Sequence, residues 1–251
     1  MTDTIIPDKF LPSAGCLKDR IVLVTGAGDG IGKAVAIQAA EHGAQVILLG
    51  RTSKKLEATY DAIQALQAPE PGIAVFDFTK ADGQAYDHLA ETIGDTYGRL
   101  DGIAHIAGEL GTLTPFDHVD MHEFQRVMHV NFMAPAILTK VLLPLLRNSD
   151  SASLVFTSSS VGREGRAYWG AYAVSKFATE GFAQVLAGEQ GKTTMRVNVI
   201  NPGKTRTGMR LAAYPAEDRS TLPTPEQIAP IFTFFLGRDS AALNGESVNA
   251  Q

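Results

Sequence analysis

Short, almost wholly apolar runs recur along the chain at Ile21 to Val24, Val46 to Leu49, Ile73 to Phe76, Ile103 to Ala107, Leu154 to Phe156 and Val197 to Ile200. They are rich in β-branched residues and lack the polar alternation of a half-exposed strand, so each reads as a strand covered on both faces. Segments of helical character lie between and after them, at Ile31 to His42, Lys54 to Gln67, Ala85 to Tyr97, Met121 to Leu146, Tyr168 to Ala187 and Pro225 to Leu236. This alternation predicts an α/β protein: a doubly wound parallel sheet of the Rossmann type between two helical layers, with ligands at the carboxyl ends of the strands. No internal repeat or low-complexity linker divides the pattern. One domain is therefore expected over 16–251, preceded by an extension over 1–15 that carries two prolines. The stretch from Lys204 to Pro225, rich in Thr, Arg and Pro, is the largest interruption and is long enough to act as a lid.

Composition narrows the class. With 251 residues, 45% hydrophobic and 20% charged, the chain can bury a core without disulfide or structural metal. The single cysteine, Cys16, cannot form an internal bridge. It points to a reducing, cytoplasmic compartment and reads as an ordinary side chain rather than a nucleophile. A formal net charge of -5 argues against nucleic acid or an anionic membrane as partner, since both call for a broadly basic surface. The N-terminus has no cationic start followed by an apolar run, and no apolar stretch reaches the ~18 residues of a membrane span.

The first strand runs into Thr25-Gly26-Ala27-Gly28-Asp29-Gly30-Ile31-Gly32-Lys33 and then into a helix. Glycines in that context allow a tight turn and a close approach to a pyrophosphate, while the amides and dipole of the helix start favour the anion. A Walker loop ending at Gly32-Lys33 fails twice, because Ala27 and Ala34 stand where Gly and Ser or Thr are required. The G-x-G-x-x-G fingerprint also fails, since its final glycine would fall on Ile31 or Lys33. What remains is T-G-x-x-x-G-x-G, with Gly26, Gly30 and Gly32 as its glycines and Gly28, Asp29 and Ile31 between them; the plain alternative is a connection that merely turns the chain. The second strand ends Leu49-Gly50-Arg51-Thr52 and offers no carboxylate for a ribose 2′-hydroxyl. Arg51 presents a planar donor fork suited to a 2′-phosphate, so NADP(H) is expected over NAD(H). Lys54 and Lys55 add positive charge nearby or are helix surface.

Tyr172 and Lys176 stand four apart in a predicted helix and so share one face. A tyrosine of pKa ~10 is a poor acid-base group near neutrality, and a neighbouring ammonium favours its phenolate. Ser158-Ser159-Ser160 follows a predicted strand, where a hydroxyl can hold the oxygen of a carbonyl undergoing hydride addition. His118, His122 and His129, with Asp117, Asp120 and Glu123, read as a polar helix start rather than a metal cluster, because H-E-x-x-H and any Cys pair are absent.

Together these motifs resemble the short-chain dehydrogenase/reductase family over nearly the whole chain. The resemblance rests on the glycine turn, Asp77 at the end of the third strand, Asn131 in a long helix, Ser159 thirteen residues before Tyr172, Y-x-x-x-K, and Pro202-Gly203 leading to Thr207. The stretches Ser153 to Phe182 and Arg196 to Arg210 are most similar to the bacterial YciK-type branch. The resemblance implies Tyr172 as proton donor and acceptor, Ser159 orienting the substrate oxygen, Lys176 lowering the tyrosine pKa and binding the nicotinamide ribose, and Asn131 holding a water in the proton relay. It further implies that Asp77 meets the adenine, that Thr207 with the nearby backbone meets the nicotinamide amide, and that Ala107, Gly108, Pro202, Gly203 and Thr205 complete the cofactor contacts. One departure stands out: His105-Ile106-Ala107-Gly108 replaces the usual Asn-Asn-Ala-Gly, which puts the tie between this strand end, its neighbours and the cofactor in doubt. The implied activity is hydride transfer between NADP(H) and a small-molecule ketone, aldehyde or secondary alcohol, in a homodimer or homotetramer. An NADP(H)-binding redox sensor, or an epimerase or dehydratase on the same fold, stand beside it. Substrate choice is expected to lie in Glu109 to Phe116, Arg163 to Trp169 and the Lys204 to Pro225 lid.

Overall fold

Strands β1 (Ile21–Thr25), β2 (Gln45–Gly50), β3 (Gly72–Val75), β4 (Gly102–His105), β5 (Ser153–Thr157), β6 (Arg196–Asn201) and β7 (Ser247–Asn249) form one sheet in the order β3-β2-β1-β4-β5-β6-β7 in the computed structural model of the protein. Every neighbouring pair is parallel. The structure describes residues 5–191 and 193–251; the first four residues of the expected extension lie outside them. Strand order reverses between β1 and β4, and the carboxyl ends of these two strands frame the crevice where such sheets hold ligands.

The apolar runs have the burial their composition predicts. Val22 and Val24 enter one core with α1 (Gly30–Glu41) and α8 (Pro225–Leu236), while Ile21 and Leu23 enter the other with α3 (Gly83–Tyr97). The period-2 alternation of a strand thus serves two helical layers at once. Helix α2 (Ser53–Gln64) joins the first layer, and α6 (Gly170–Gln190) joins the second. Within the extension, Phe10 inserts against Phe234 and Phe235 of α8, at ring separations of 5.6 and 5.3 Å.

Three departures from the sequence expectation matter for the site. Strand β7 is only three residues long and half exposed, so it carries no apolar run to announce it. The 204–225 stretch contains a short helix, α7 (Gly208–Ala213), capped by the Thr207 side chain on Arg210 N–H at 3.1 Å. Finally, the helix expected over Met121 to Leu146 divides into α4 (Met121–Met128), a π-helical turn at His129–Met133 and α5 (Ala134–Arg147). Among the described residues this is the one helix long and apolar enough to cross a membrane. In the fold its Leu138, Leu142 and Leu146 are buried in the second core.

Candidate active site

The glycine turn owes its shape to contacts that only glycine permits. Gly26 has φ +70°, and a Cβ there would lie 3.1 Å from the Ala107 backbone at the end of β4. Gly32 is tighter: a Cβ would lie 2.2 Å from the Gly26 carbonyl oxygen. This closeness brings the first turn of α1, whose amides lack intrahelical acceptors, to the floor of a cleft of about 490 Å³. Gly26, Gly28, Asp29, Gly30, Ile31 and Gly32 line one wall; Arg51, Asp77, Ala107 and Gly108 continue it, and Tyr172, Lys176, Pro202 and Thr207 lie at its other end. Of the remaining expected residues, Asn131, Ser159, Gly203 and Thr205 stand behind or beside this lining. Gly203 has φ +72° and packs against the Gln251 side chain, which donates to the Pro202 carbonyl at 2.6 Å. Thr205 is buried.

The strand end that departs from Asn-Asn is held by other groups. Thr25 Oγ1 accepts from the amides of Ile106 (2.9 Å) and Ala107 (3.1 Å), tying β4 to β1. His105 is buried, stacks on Phe156 with centroids 4.7 Å apart, and meets Thr139 Oγ1 through Nε2 at 2.9 Å. Its Nδ1 has no hydrogen-bond partner among the described residues, and burial pushes its pKa down from 6.5 to about 3. The unfolded chain therefore binds a proton between those values that the folded chain refuses. Stability from this group is complete above pH 6.5 and falls as the pH drops toward 3, by up to about 1.4 kcal/mol per pH unit. In equilibrium urea unfolding across that window, His105→Gln should show a shallower loss of stability than the parent.

At the catalytic end, Tyr172 is buried against Val161 and Trp169, the latter with ring centroids 5.7 Å away. Tyr168, just before Trp169, has φ +74°, an uncommon conformation for a bulky residue, and its carbonyl accepts from Thr114 N–H at 3.1 Å. That strained turn fixes the Trp169 ring beside the phenol and couples two of the expected specificity segments. Arg163, by contrast, is spent on Glu180 and β7, with bonds of 3.0 Å to Glu180 and 2.7 Å each to Asn249 and Ser247. Arg166 donates to the Tyr214 hydroxyl at 3.0 Å and so reaches across to the 204–225 stretch.

Burial raises the Tyr172 pKa to about 12, opposed by a hydrogen bond with the Ser159 side chain. Lys176 is buried too; desolvation brings it down to about 8 against the opposing Glu180 carboxylate. Its Nζ donates to the Thr157 carbonyl at 2.8 Å and lies 5.6 Å from the Tyr172 ring centroid. The expected fall in the tyrosine pKa is therefore not the balance in the protein alone, where desolvation outweighs the neighbouring groups. Ser158 lines the cleft, whereas Ser159 is the serine bonded to the phenol.

The Asn131 carboxamide is bonded within the protein. Its Nδ2 donates to the Glu109 carbonyl (2.8 Å) and to Ser175 Oγ (3.0 Å), while Oδ1 accepts from Glu109 N–H (2.7 Å). Both amide hydrogens are thus committed to protein, and the side chain clamps the loop after β4 to α6. The π turn holds this buried carboxamide just behind Gly108 of the cleft lining, a feature that helical periodicity does not reveal.

The charge pairing around the cleft could not be read from the sequence, in which Glu109 stands out only as part of a substrate-choice segment and Arg126 not at all. The end of β2 has no carboxylate of its own, but the fold supplies one from the loop after β4: Glu109 Oε1 lies 3.0 Å from Arg51 Nη1, and its Oε2 lies 3.0 Å from Arg126 Nε. Lys55 is paired with Asp29 at 2.6 Å, which lowers the Asp29 pKa. Asp77 is also held below its ordinary pKa, chiefly by the Thr79 hydroxyl at 2.7 Å. Cys16 Sγ sits 3.5 Å from His42 Nδ1, but burial pushes the thiol up to about 12, so it stays protonated near neutrality.

A parallel sheet with a glycine turn at its crossover, and a serine, tyrosine and lysine at the far end of the same cleft, define a Rossmann-type oxidoreductase. The chain belongs to the short chain dehydrogenase family, whose sequence profile matches residues 20–218. It is 48% identical over 242 residues to the uncharacterized oxidoreductase YciK of Escherichia coli K12, covering 96% of each chain. It is 30% identical to levodione reductase of Leifsonia aquatica, over 76% of this chain and 71% of that one. Among solved structures, a short chain dehydrogenase from Pseudomonas syringae superposes with a TM-score of 0.93 at 50% identity, covering 95% of this chain and 98% of that one. A short chain dehydrogenase from Escherichia coli CFT073 complexed with NADPH superposes with a TM-score of 0.93 at 49% identity, over 96% of this chain and all of the other.

Proposed function

We propose that the chain is an NADP(H)-dependent carbonyl reductase or alcohol dehydrogenase. The observation that carries this reading is one cleft with helix-start amides and Arg51 at one end and Tyr172 and Lys176 at the other, with Ser159 bonded to the phenol beside that lining. The cradle fits a dinucleotide phosphate: Gly28 and Gly30 line it without side chains beside the first-turn amides of α1, and a Cβ at Gly28 would meet Lys55 Cβ at 2.8 Å, so the turn can lie this close to α2 only as glycine. Gly26 to Gly32 would hold the pyrophosphate, Arg51 the 2′-phosphate, and Pro202, Thr207 and Lys176 the nicotinamide end. When bound, the nicotinamide supplies or accepts the hydride.

The protein's own groups then handle the proton and the substrate oxygen. Ser159 orients that oxygen, and the Tyr172 hydroxyl, protonated near neutrality, delivers its proton there during reduction. Trp169 packs beside the Tyr172 ring, and Val161, Leu110 and Met209 belong to the same small apolar cluster, which favours a carbonyl borne on an apolar body. The test is a panel of ketones and aldehydes with the purified full-length chain, following loss of reduced nicotinamide and identifying the product. NADPH oxidation with formation of the alcohol is expected; tight NADPH binding without turnover on any carbonyl would favour the redox-sensor reading.

The exposed apolar residues of α6, Val174, Phe177 and Val185, support a second proposal, that the working species is a homodimer or homotetramer. A monomeric mass in solution at assay concentration would overturn it.

A further inference from the structure

Arg51 is not free in the folded chain. Its guanidinium, the group suited to a 2′-phosphate, is paired with Glu109, a carboxylate that lines the same cleft. Glu109 is the fixed member of the pair. Its N–H and C=O are both bound by the Asn131 carboxamide, its second carboxylate oxygen is held by Arg126, and its side chain is only 21% exposed. The Arg51 side chain is 64% exposed and has one such partner, so when the pair opens it is Arg51 that moves. Lys55, the other cation along this wall, is likewise matched to a carboxylate, Asp29.

We infer that Glu109 is an internal competitor for the 2′-phosphate: it occupies Arg51 in the free protein and must surrender it when a phosphate-bearing cofactor binds. This rests on the NADP(H) reading above. A phosphate carries more charge than a carboxylate and can take the guanidinium fork bidentately, so it wins the exchange, but it binds more weakly than it would to an unclaimed arginine. A cofactor with a bare 2′-hydroxyl has nothing to offer in return and leaves the pair closed. Glu109 therefore loosens the hold on NADP(H) specifically and helps a spent cofactor leave.

The test is calorimetric titration of the parent and of Glu109→Gln with NADP+, NAD+ and adenosine 2′,5′-bisphosphate. Glutamine keeps the backbone clamp to Asn131 and removes the charge. NADP+ and the bisphosphate should bind about two- to fivefold more tightly, the scale of one partly exposed ion pair, while NAD+ moves by less than half that factor. In an Arg51→Gln background the gain should vanish, because the competition has lost its object. Arg126→Gln should act in the opposite direction, weakening NADP+ by leaving Glu109 wholly to Arg51. Weaker or unchanged NADP+ binding in Glu109→Gln, an equal gain for NAD+, or a gain that survives loss of Arg51 would each overturn the inference. Failure of the parent to bind NADP+ would overturn the cofactor reading as well; normal parental binding without the predicted gain would overturn this inference alone.

Discussion

Tyr172→Phe should lower kcat for carbonyl reduction by about 10²–10⁴-fold, the range associated with loss of a positioned general acid. Phenylalanine preserves the ring that packs beside Trp169 and Val161, so folding and cofactor affinity should remain close to those of the parent. Steady-state kinetics with parallel NADPH titration separates the two effects. The parent should also show opposite pH trends for its two directions. Reduction needs the protonated phenol, whose pKa burial holds near 12, so it is supported at neutral pH. Oxidation needs the deprotonated form and should rise with pH. Lys176, brought down to about 8, loses its charge in the same alkaline range and with it part of its support for the phenolate. Turnover in Tyr172→Phe that matches the parent would remove the acid-base assignment.

Gly32→Ala should be the most damaging alanine substitution among the glycines. Its Cβ would lie 2.2 Å from the Gly26 carbonyl oxygen and 2.6 Å from the Gly26 carbonyl carbon, both of them backbone atoms that no rotamer can move aside. Helix α1 would have to retreat from β1, disturbing its packing against α8. Overpacking of this kind costs about 3 kcal/mol or more, corresponding to a Tm lower by about 6–12 °C in a domain of this size. The same retreat withdraws the first-turn amides from the cleft, so NADPH affinity should collapse along with stability. Gly188→Ala is the matched control: it lies in α6 with open space at its Cβ, and alanine is the better helix former. It should leave both properties intact or slightly raise Tm. Thermal unfolding with and without NADPH distinguishes the two variants.

The fold was legible wherever burial on both faces left a continuous apolar run, as in β1 and β5. It was not legible at β7, whose three half-exposed residues bond to β6 mainly through backbone, nor at α7, which depends on the Thr207 cap more than on an apolar face. For the site, spacing alone placed Tyr172 and Lys176 on one helix face and the glycines at a helix start. The Glu109–Arg51 pair could not be read that way. The two residues stand 58 positions apart and meet only because β2 and β4 flank β1 in the sheet. Thr25 shows the same limit: the motif places it before the glycines, but that its hydroxyl anchors the β4 end depends on strand adjacency, which spacing does not reveal.

The π turn at His129–Met133 has a consequence for the whole second layer. An extra residue in one helical turn rotates everything beyond it by about 100°, so α4 and α5 present different sides of what is covalently one rod. The forward part faces α6 and the rear part faces α3. Deleting one residue between His129 and Met133 would shift that phase and turn one of those two contacts outward, while Pro135, with no N–H to give, would still interrupt the helical hydrogen bonds just beyond it. The irregularity acts as a phase joint: one helix is geared to two neighbours, and Asn131 sits at the tooth where the gearing changes.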